Sequence, residues 1–497
     1  VRPVHQEIIM AFLGIDVGTT ACKTVLYDLQ GVAISAAREE YKLHHPRSGW
    51  AEINPLKMWN AVKKCIYETV KKSNHHVEAL AISSHGEGVI PLNQKNVVIG
   101  AEIVSFDCRA AEETKELEAK FHKKYFFEQC GHILSPAGTL TKIMWMNNHP
   151  DYFREKPCAF VCAGDYIAFR LTGNRVIDFS LASRTMLLNV HTKVWNHELM
   201  EYVKISENQL SKPVASGEII GNVSKECADE LRLSADTVVV AGGHDQPCAM
   251  VGAGALAPGK AVYSMGTTET LICSMKEFKS ELYNQGLCCY PHVLEGQYIT
   301  LPGNFTGGNL LKWFKDTFIA SGDEIYSYHR MMEEMADYPS GLLVLPHFTM
   351  TGSPWNDSES YGMISGLTLS TKRGEIIRAL QEGVTMEMLL NLELLRKQGM
   401  GVEELITVGG SVKSKKLMQL KADVLGVCLS VPEDPEAACR GAAYLAGLPV
   451  NKKSEEFSLG SNKPESVLFP NKELHGQYIN HLVRYNKMYQ AQKEIWR

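Results

Sequence analysis

Short apolar runs broken by turn residues open the chain: "AFLGIDVG" at 11–18, "CKTVLYD" at 22–28 and "VAISAAREEY" at 32–41, with "LQG" between the last two. Runs of this length and punctuation predict β-strands, and their close spacing predicts an antiparallel meander. From Pro55 the apolar positions change period. Met58, Trp59, Val62, Ile66 and Val70 recur at steps of three and four, the stripe of an amphipathic helix. Strand character returns in "HVEALAIS" and "VVIGAEIVSFD", and "GDYIAFRLTG" reads as a helix closed by Gly173.

The second half repeats this order loosely. "AVYSMGTTETLICS" at 261–274 reads as strand, turn and strand, followed by helices around 306–318 and 323–337 and a long helix from about Lys372 to Gln398. Then come the strand "ELITVGGS", the helix "KKLMQLKADVLG", the strand "VCLSVP" and the small-residue helix "PEAACRGAAYLAG". Alternation of strands and helices in both halves predicts two α/β domains, over 10–255 and 256–450. They join near the Gly- and Ala-rich "VGAGALAPGK", and 451–497 is expected to form a helical appendage.

Composition narrows the partners. The chain has 497 residues, 45% of them hydrophobic, and a formal charge of −5. That is long enough for sizeable cores, and it lacks the basic field or Lys/Arg block that nucleic acid demands. No apolar run approaches the roughly 20 residues of a membrane span. Small-molecule partners are therefore expected, with a homodimer left open. The 13 cysteines, scattered without metal-ligand spacing, argue against a disulfide framework and for a reducing, cytoplasmic setting.

The candidate chemistry lies in a repeated turn. Gly18-Thr19-Thr20 follows the first strand and Gly266-Thr267-Thr268 follows the strand that opens the second half. A glycine turn lets backbone amides approach an anion, and the threonine hydroxyls add donors. One such turn reads equally well as an ordinary hairpin; two, each opening one half, fit domains that grip one polyphosphate. Asp16, on the strand just before the first turn, can hold Mg²⁺ through water, since this ion prefers oxygen ligands and keeps part of its hydration shell. In "AGGHDQPCAMVGAG" two glycines deliver Asp245 at the end of an apolar strand, which makes it a candidate base for an attacking hydroxyl. Gly409 and Gly410, between a strand and a helix, offer bare backbone to a flat ring, with Ser411 and Ser414 as caps or contacts.

These motifs together resemble the FGGY carbohydrate kinases of the actin-like, sugar-kinase and chaperone ATPase superfamily. "GIDVGTT" resembles the family's first phosphate motif, "GGHDQ" the one holding its catalytic aspartate, and "MGTTET" its second phosphate hairpin. "TKIMWMNNHP" with its Lys-x-x-Trp core, "GMISGL" followed by "EIIRALQEG", "GWAEINPLKMW", "ASRTMLLNVHTKVW" and "RGAAYLAGL" resemble further family blocks, in order across about 10–450. Leu380 and Gln381 depart from the usual residue classes. The resemblance implies two actin-like (ribonuclease H-like) domains around a cleft for ATP and sugar. It also implies Asp16 near Mg²⁺, Thr19 and Thr20 at the transferring phosphate, and Asp245 as base. Gly266, Thr267 and Thr268 would contact the β- and γ-phosphates, and Gly409, Gly410 and Ser414 the adenosine.

For the acceptor the resemblance implies contacts from "ISSHGEGVIPL" and from Asp107-x-Arg109. His85 and Glu87 could bond hydroxyls, while Gly86 and Gly88 leave room for a polyol chain. Xylulose kinases usually place Met-His at 86–87 and Trp-Asn before the aspartate, and glycerol kinases Arg-Glu at 86–87; here stand Gly86-Glu87 and Ser105-Phe106. This pattern is closer to kinases of L-xylulose and similar ketoses, and "GHD" followed by "GAG" also resembles L-fuculose kinases. The expected activity is phosphorylation of a terminal hydroxyl of a ketose or polyol, a ketopentose such as xylulose first. L-fuculose, erythritol, glycerol or gluconate are the alternatives. A non-catalytic ATP-binding regulator would have no reason to keep Asp245 together with Asp107 and Arg109. A dinucleotide-dependent oxidoreductase would need a G-x-G-x-x-G at the first strand, which is absent.

Overall fold

A computed structural model describes residues 10–319, 327–349, 351–357, 359–450 and 462–496. The expected meander forms β1 (Met10–Val17), β2 (Ala21–Tyr27) and β3 (Ala33–Glu40). Helix α1 (Pro55–Lys71) starts where Asn54 accepts the amides of Leu56 and Lys57, and lays Met58, Trp59, Val62, Ile66 and Val70 into the core. The chain returns as β4 (His76–Ser84), and later contributes α2 (Thr139–Asn148), α3 (Phe179–Arg184), β5 (Ile219–Asn222) and β6 (Val238–His244). "VVIGAEIVSFD" keeps only Glu102–Ile103 as strand. The sheet runs β5-β6-β4-β1-β2-β3, and α4 (Asp245–Ala253) begins directly at its end.

The second half opens with β7 (Lys260–Met265) and β8 (Glu269–Met275), then β9 (Tyr290–Pro291), β10 (Tyr298–Thr300) and α5 (Gly308–Phe318). Of the helix expected over 323–337, Tyr328–Glu334 is helical and 323–326 lie outside the described residues. There follow α6 (Arg373–Lys397), β11 (Glu404–Val408), α7 (Lys415–Leu425), β12 (Cys428–Pro432), α8 (Ala437–Gly447), β13 (Pro464–Leu468) and α9 (Lys472–Trp496). The main path of this sheet is β9-β10-β8-β7-β11-β12-β13.

The two sheets share one plan. β1 pairs antiparallel with β2 and parallel with β4, as β7 pairs antiparallel with β8 and parallel with β11. β4–β6 and β11–β12 are parallel, and β5 and β13 close the respective edges antiparallel. The tail expected as a helical appendage therefore carries a strand that completes the second sheet. Its helix is anchored by polar groups: Tyr478 donates to Glu382 at 2.6 Å, Tyr485 donates to Glu387, and Tyr489 donates to Asp357 at 2.8 Å. These buried acids on and beside α6 gave the sequence pattern no sign of a partner at such distance.

Helix α8 belongs to the second half but packs its Cys439, Ala442, Ala443 and Ala446 against Phe12, Ala79 and Ala81 of the first sheet. Small residues let backbones cross closely. A Cβ at Gly441 would fall 1.9 Å from the Cys248 carbonyl oxygen, and one at Gly14 1.8 Å from that of Cys439. Polar clasps flank the crossing: Lys23 meets Glu436 at 2.7 Å, Tyr27 donates to Asp434 at 2.8 Å, and Arg440 donates to the Gly31 carbonyl at 2.8 Å. Gly441→Ala is expected to lower unfolding stability by about 3 kcal/mol or more, because backbone on both sides must move. Chemical denaturation measures it; an unchanged midpoint would contradict so tight a crossing.

Candidate active site

Both Gly-Thr-Thr turns sit at the same place on their sheets, between the first strand of each hairpin and the second. In the first, the Gly18 amide donates to the Ala21 carbonyl at 3.0 Å, and Tyr41 reaches over to donate its hydroxyl to the Gly18 carbonyl. In the second, Gly307 and Gly308, at the start of α5, donate to the carbonyls of Thr267 and Gly266, each at 3.0 Å. Carbonyls are thus held from behind, and residues 266–268 are exposed. Gly409 has φ +106, and a Cβ there would fall 2.2 Å from the Met265 carbonyl, so only glycine lets this turn lie against the base of the second hairpin. Gly410 faces open space, and the Ser414 hydroxyl caps α7 by accepting the Leu417 amide at 3.3 Å.

Asp16, one residue before the end of β1, accepts the Ser83 hydroxyl on its Oδ1 at 3.0 Å. Burial, and then the charge of Asp245, push its pKa up to about 7. Asp245 is the first residue of α4. The register of β6 on β4 shifts between Val240 and Gly243, and a Cβ at Gly242 would fall 2.0 Å from the Ile82 carbonyl, which is why two glycines precede it. Burial raises its pKa too, opposed by the Gln246 amide, His85 and Arg184. The Gln246 side chain donates to Asp245 Oδ1 at 3.0 Å.

Glu87, at φ +59 in the loop after β4, forms an ion pair with Arg184 at the end of α3. Lys142 of α2, fully buried, fixes that loop by donating to the carbonyls of Glu87 at 2.9 Å and Ala137 at 2.6 Å. Burial pulls its pKa down to about 7. Arg184 also lies 5.2 Å over the Tyr290 ring. Lys142 and Arg184 stand within sequence blocks quoted above for the resemblance, yet those blocks carried no role for them. Tyr290 and Glu102 had no signal at all, being brought in by tertiary contacts.

Three groups expected at the acceptor meet protein atoms in this structure. His85 has no free nitrogen for a hydroxyl: Nδ1 donates to the Val17 carbonyl at 2.9 Å and Nε2 to Glu102 at 2.7 Å. Burial works against its charge, but Glu102 and the Val17 carbonyl hold its pKa up at about 9. Asp107 and Arg109 close on each other. Asp107 accepts Arg109 Nε at 2.9 Å and Nη2 at 2.8 Å and the Ala51 amide at 2.6 Å, while the guanidinium lies 3.8 Å over Trp50 and meets Glu52 at 2.8 Å. Both side chains are fully buried, and their charges act on Lys142, which holds the acceptor loop. Finally, Gly86 and Gly88 do not leave open space. A Cβ at 88 would fall 1.9 Å from Glu102 Oε1, and one at 86 would meet His244 and Arg184 at 3.0 and 3.1 Å.

A duplicated mixed sheet, each copy ending in a phosphate-type turn, with carboxylates gathered beside one of them, defines a class of two-domain ATP-using enzymes. The comparisons agree. Residues 11–252 match the N-terminal domain and residues 261–449 the C-terminal domain of the FGGY family of carbohydrate kinases. The chain belongs to that family and is an ATP-dependent carbohydrate kinase. It is 27% identical to a xylulose kinase of Bacillus subtilis, over 87% of each chain. It is 28% identical to a glycerol kinase of Alkaliphilus metalliredigens, over 93% of this chain and 94% of the relative. In fold it is similar to a ligand-bound xylulose kinase from Lactobacillus acidophilus, with a TM-score of 0.89 and 24% identity over 98% of this chain and 99% of that one. Among the described residues no helix is long and apolar enough to cross a membrane.

Proposed function

We propose that the protein transfers the γ-phosphoryl group of ATP to a terminal primary hydroxyl of a five- or six-carbon ketose or polyol, a ketopentose such as xylulose being the first choice. The observation that carries this is that Asp245, at the first position of α4, lies within the field of Arg184, a cation that itself pairs with Glu87, so a carboxylate, an anion and a cation with hydrogen-bonding capacity share one region. Arg184 Nε is buried with no hydrogen-bond partner among the described residues. Several fixed donors and acceptors suit a chain of several hydroxyls better than glycerol. Relatives that bear the names of xylulose and glycerol kinases support the acceptor class without choosing within it.

In this reading Thr19 and Thr20 contact the transferring phosphate, Gly266, Thr267 and Thr268 the β- and γ-phosphates, and Gly409, Gly410 and Ser414 the adenosine. Ser414 keeps its hydroxyl hydrogen for that contact, since as a cap it only accepts. The residues fit Mg²⁺: Asp16 and Asp245 are half-buried carboxylates, the charge of Asp245 helps raise the pKa of Asp16, and among the described residues neither pairs with Lys or Arg within 4.0 Å. Asp16 would hold the ion through water, where it supplies positive charge to the phosphates. Asp245 accepts the hydroxyl proton, and phosphoryl transfer otherwise depends on positioning and charge stabilisation.

The test is ATP consumption over D- and L-xylulose, D- and L-ribulose, L-fuculose, erythritol, gluconate and glycerol. A ketopentose is expected to give the highest kcat/KM, with glycerol lower by about 10²-fold or more. Glycerol in first place would overturn the acceptor assignment.

A further inference from the structure

Next to Asp245 the structure holds a chain of contacts that the reaction described above leaves unused. Tyr290 of β9, completely buried, lies 2.9 Å from His244 Nδ1 through its hydroxyl. The other ring nitrogen of His244, Nε2, stands 3.2 Å from Asp245 Oδ1. That oxygen also accepts the Gln246 side-chain amide at 3.0 Å. The His244 backbone amide donates to Ser180 Oγ at 2.9 Å, and the Tyr290 ring is flanked by His132, with ring centroids 5.0 Å apart, and by Arg184.

The protonation pattern follows from these partners. A carboxylate oxygen only accepts, so Nε2 carries the hydrogen that faces Asp245. Burial, with the nearby Arg184, His132 and His85, keeps the ring neutral, so Nδ1 has a lone pair and accepts from the Tyr290 hydroxyl. Tyr290 thereby selects the tautomer that presents an N–H to the carboxylate.

The geometry points to His244 and Tyr290 as positioning residues for Asp245: His244, oriented by Tyr290, and Gln246 face Oδ1 and leave Oδ2, which neither the His244 nor the Gln246 side chain touches, as the oxygen that takes the acceptor proton. This rests on the reading of Asp245 as base. As the acceptor oxygen bonds to the γ-phosphorus, its proton passes to Oδ2 and the bond from that phosphorus to the ADP oxygen breaks. The Nε2–Oδ1 contact at 3.2 Å is not aligned as a hydrogen bond in this structure, and catalytic hydrogen bonds are often poorly aligned without substrate and tighten once it binds. The arrangement also spans the molecule. Tyr290 pairs through β9 and β10 with β8, the strand that follows the Gly266–Thr268 turn, so the second half orients the base carried by the first.

The test uses the full-length enzyme with ATP and the acceptor ranked first in the screen, D-xylulose being tried first, and compares His244→Ala, His244→Gln, Tyr290→Phe, the Tyr290→Phe/His244→Ala double variant and Asp245→Asn. His244→Ala is expected to lower kcat about 10- to 100-fold, with KM for ATP and acceptor changed less than about 3-fold, since misplacing a base by an ångström costs turnover and not binding. Gln at 244 can donate to Oδ1 and accept from Tyr290, and is expected to restore kcat to within about 3-fold of the parent. Tyr290→Phe should lower kcat about 5-fold alone and add nothing on top of His244→Ala. A folded His244→Ala enzyme with parental kcat, or independent additive losses in the double variant, overturns the inference. Should His244→Ala fail to fold, His244→Gln and Tyr290→Phe still decide it: equal kcat loss in both, or none in Tyr290→Phe, is fatal. Parental turnover in Asp245→Asn instead overturns the base assignment itself.

Discussion

Asp245→Asn is expected to cut kcat by about 10²–10⁴ while ATP still binds, the largest kinetic effect of any single substitution in this protein. Asparagine keeps the shape and polarity of the side chain at the first position of α4 but cannot take a proton. The nucleotide contacts proposed here lie on other elements, at residues 18–20, 266–268 and 409–414, so calorimetric ATP affinity should change by less than about 3-fold. Stability separates this role from a merely structural one. Burial disfavours the ionised form of Asp245 by more than Gln246, His85 and Arg184 favour it, so a neutral isostere should leave the thermal midpoint unchanged or raise it at neutral pH. The sign is that of a raised carboxylate: the folded protein binds the proton more tightly than the unfolded chain, and ionisation above the unfolded value costs stability. A stable variant with near-parental turnover would remove Asp245 from the reaction.

Local pattern carried much of this molecule. The hairpin turns at 18–20 and 266–268, the two glycines before Asp245 and the Gly409 turn were legible because each needs a residue type that few other settings need. Both sheets followed from alternation of strand and helix. Hidden from the sequence was whatever depends on which side chain reaches which. His85 and Arg109 read as free polar groups, and only folding brings Glu102 and the Val17 carbonyl to His85, and Asp107 and Glu52 to Arg109. Gly86 and Gly88 read as open space for the same reason, since the atoms that crowd them come from Glu102, Arg184 and His244. Strand β13 was missed because a short edge strand of "PESVL" has little apolar alternation of its own, and its pairing with β12 supplies what the pattern lacks. Arg184 shows the reverse case. It stood in a recognisable block, but a lone arginine has no assigned chemistry until folding sets it against Glu87 and Tyr290 and within the field of Asp245.

Glu87→Ala is expected to lower kcat/KM for the acceptor by about 10²-fold or more, with KM for ATP unchanged within about 3-fold. Two losses combine. An oxygen pair that can accept acceptor hydroxyls disappears, and the Arg184 guanidinium, largely buried and with Nε already unpartnered, loses its counter-charge. A purely structural role for the pair would show as a fall in thermal midpoint with kinetics preserved, because Lys142 still holds the Glu87 carbonyl and with it the loop. Glu87→Gln separates the two losses: the amide still bonds a hydroxyl but no longer neutralises Arg184. The reading of hydroxyls can be isolated further with deoxy analogues of the preferred acceptor. The analogue that lacks the hydroxyl met by Glu87 should be a poor substrate for the parent and nearly indifferent to Glu87→Ala, while the others should lose the full factor. Equal losses for every deoxy analogue would show that Glu87 acts only through Arg184, and the specificity of the site would then rest on the guanidinium alone.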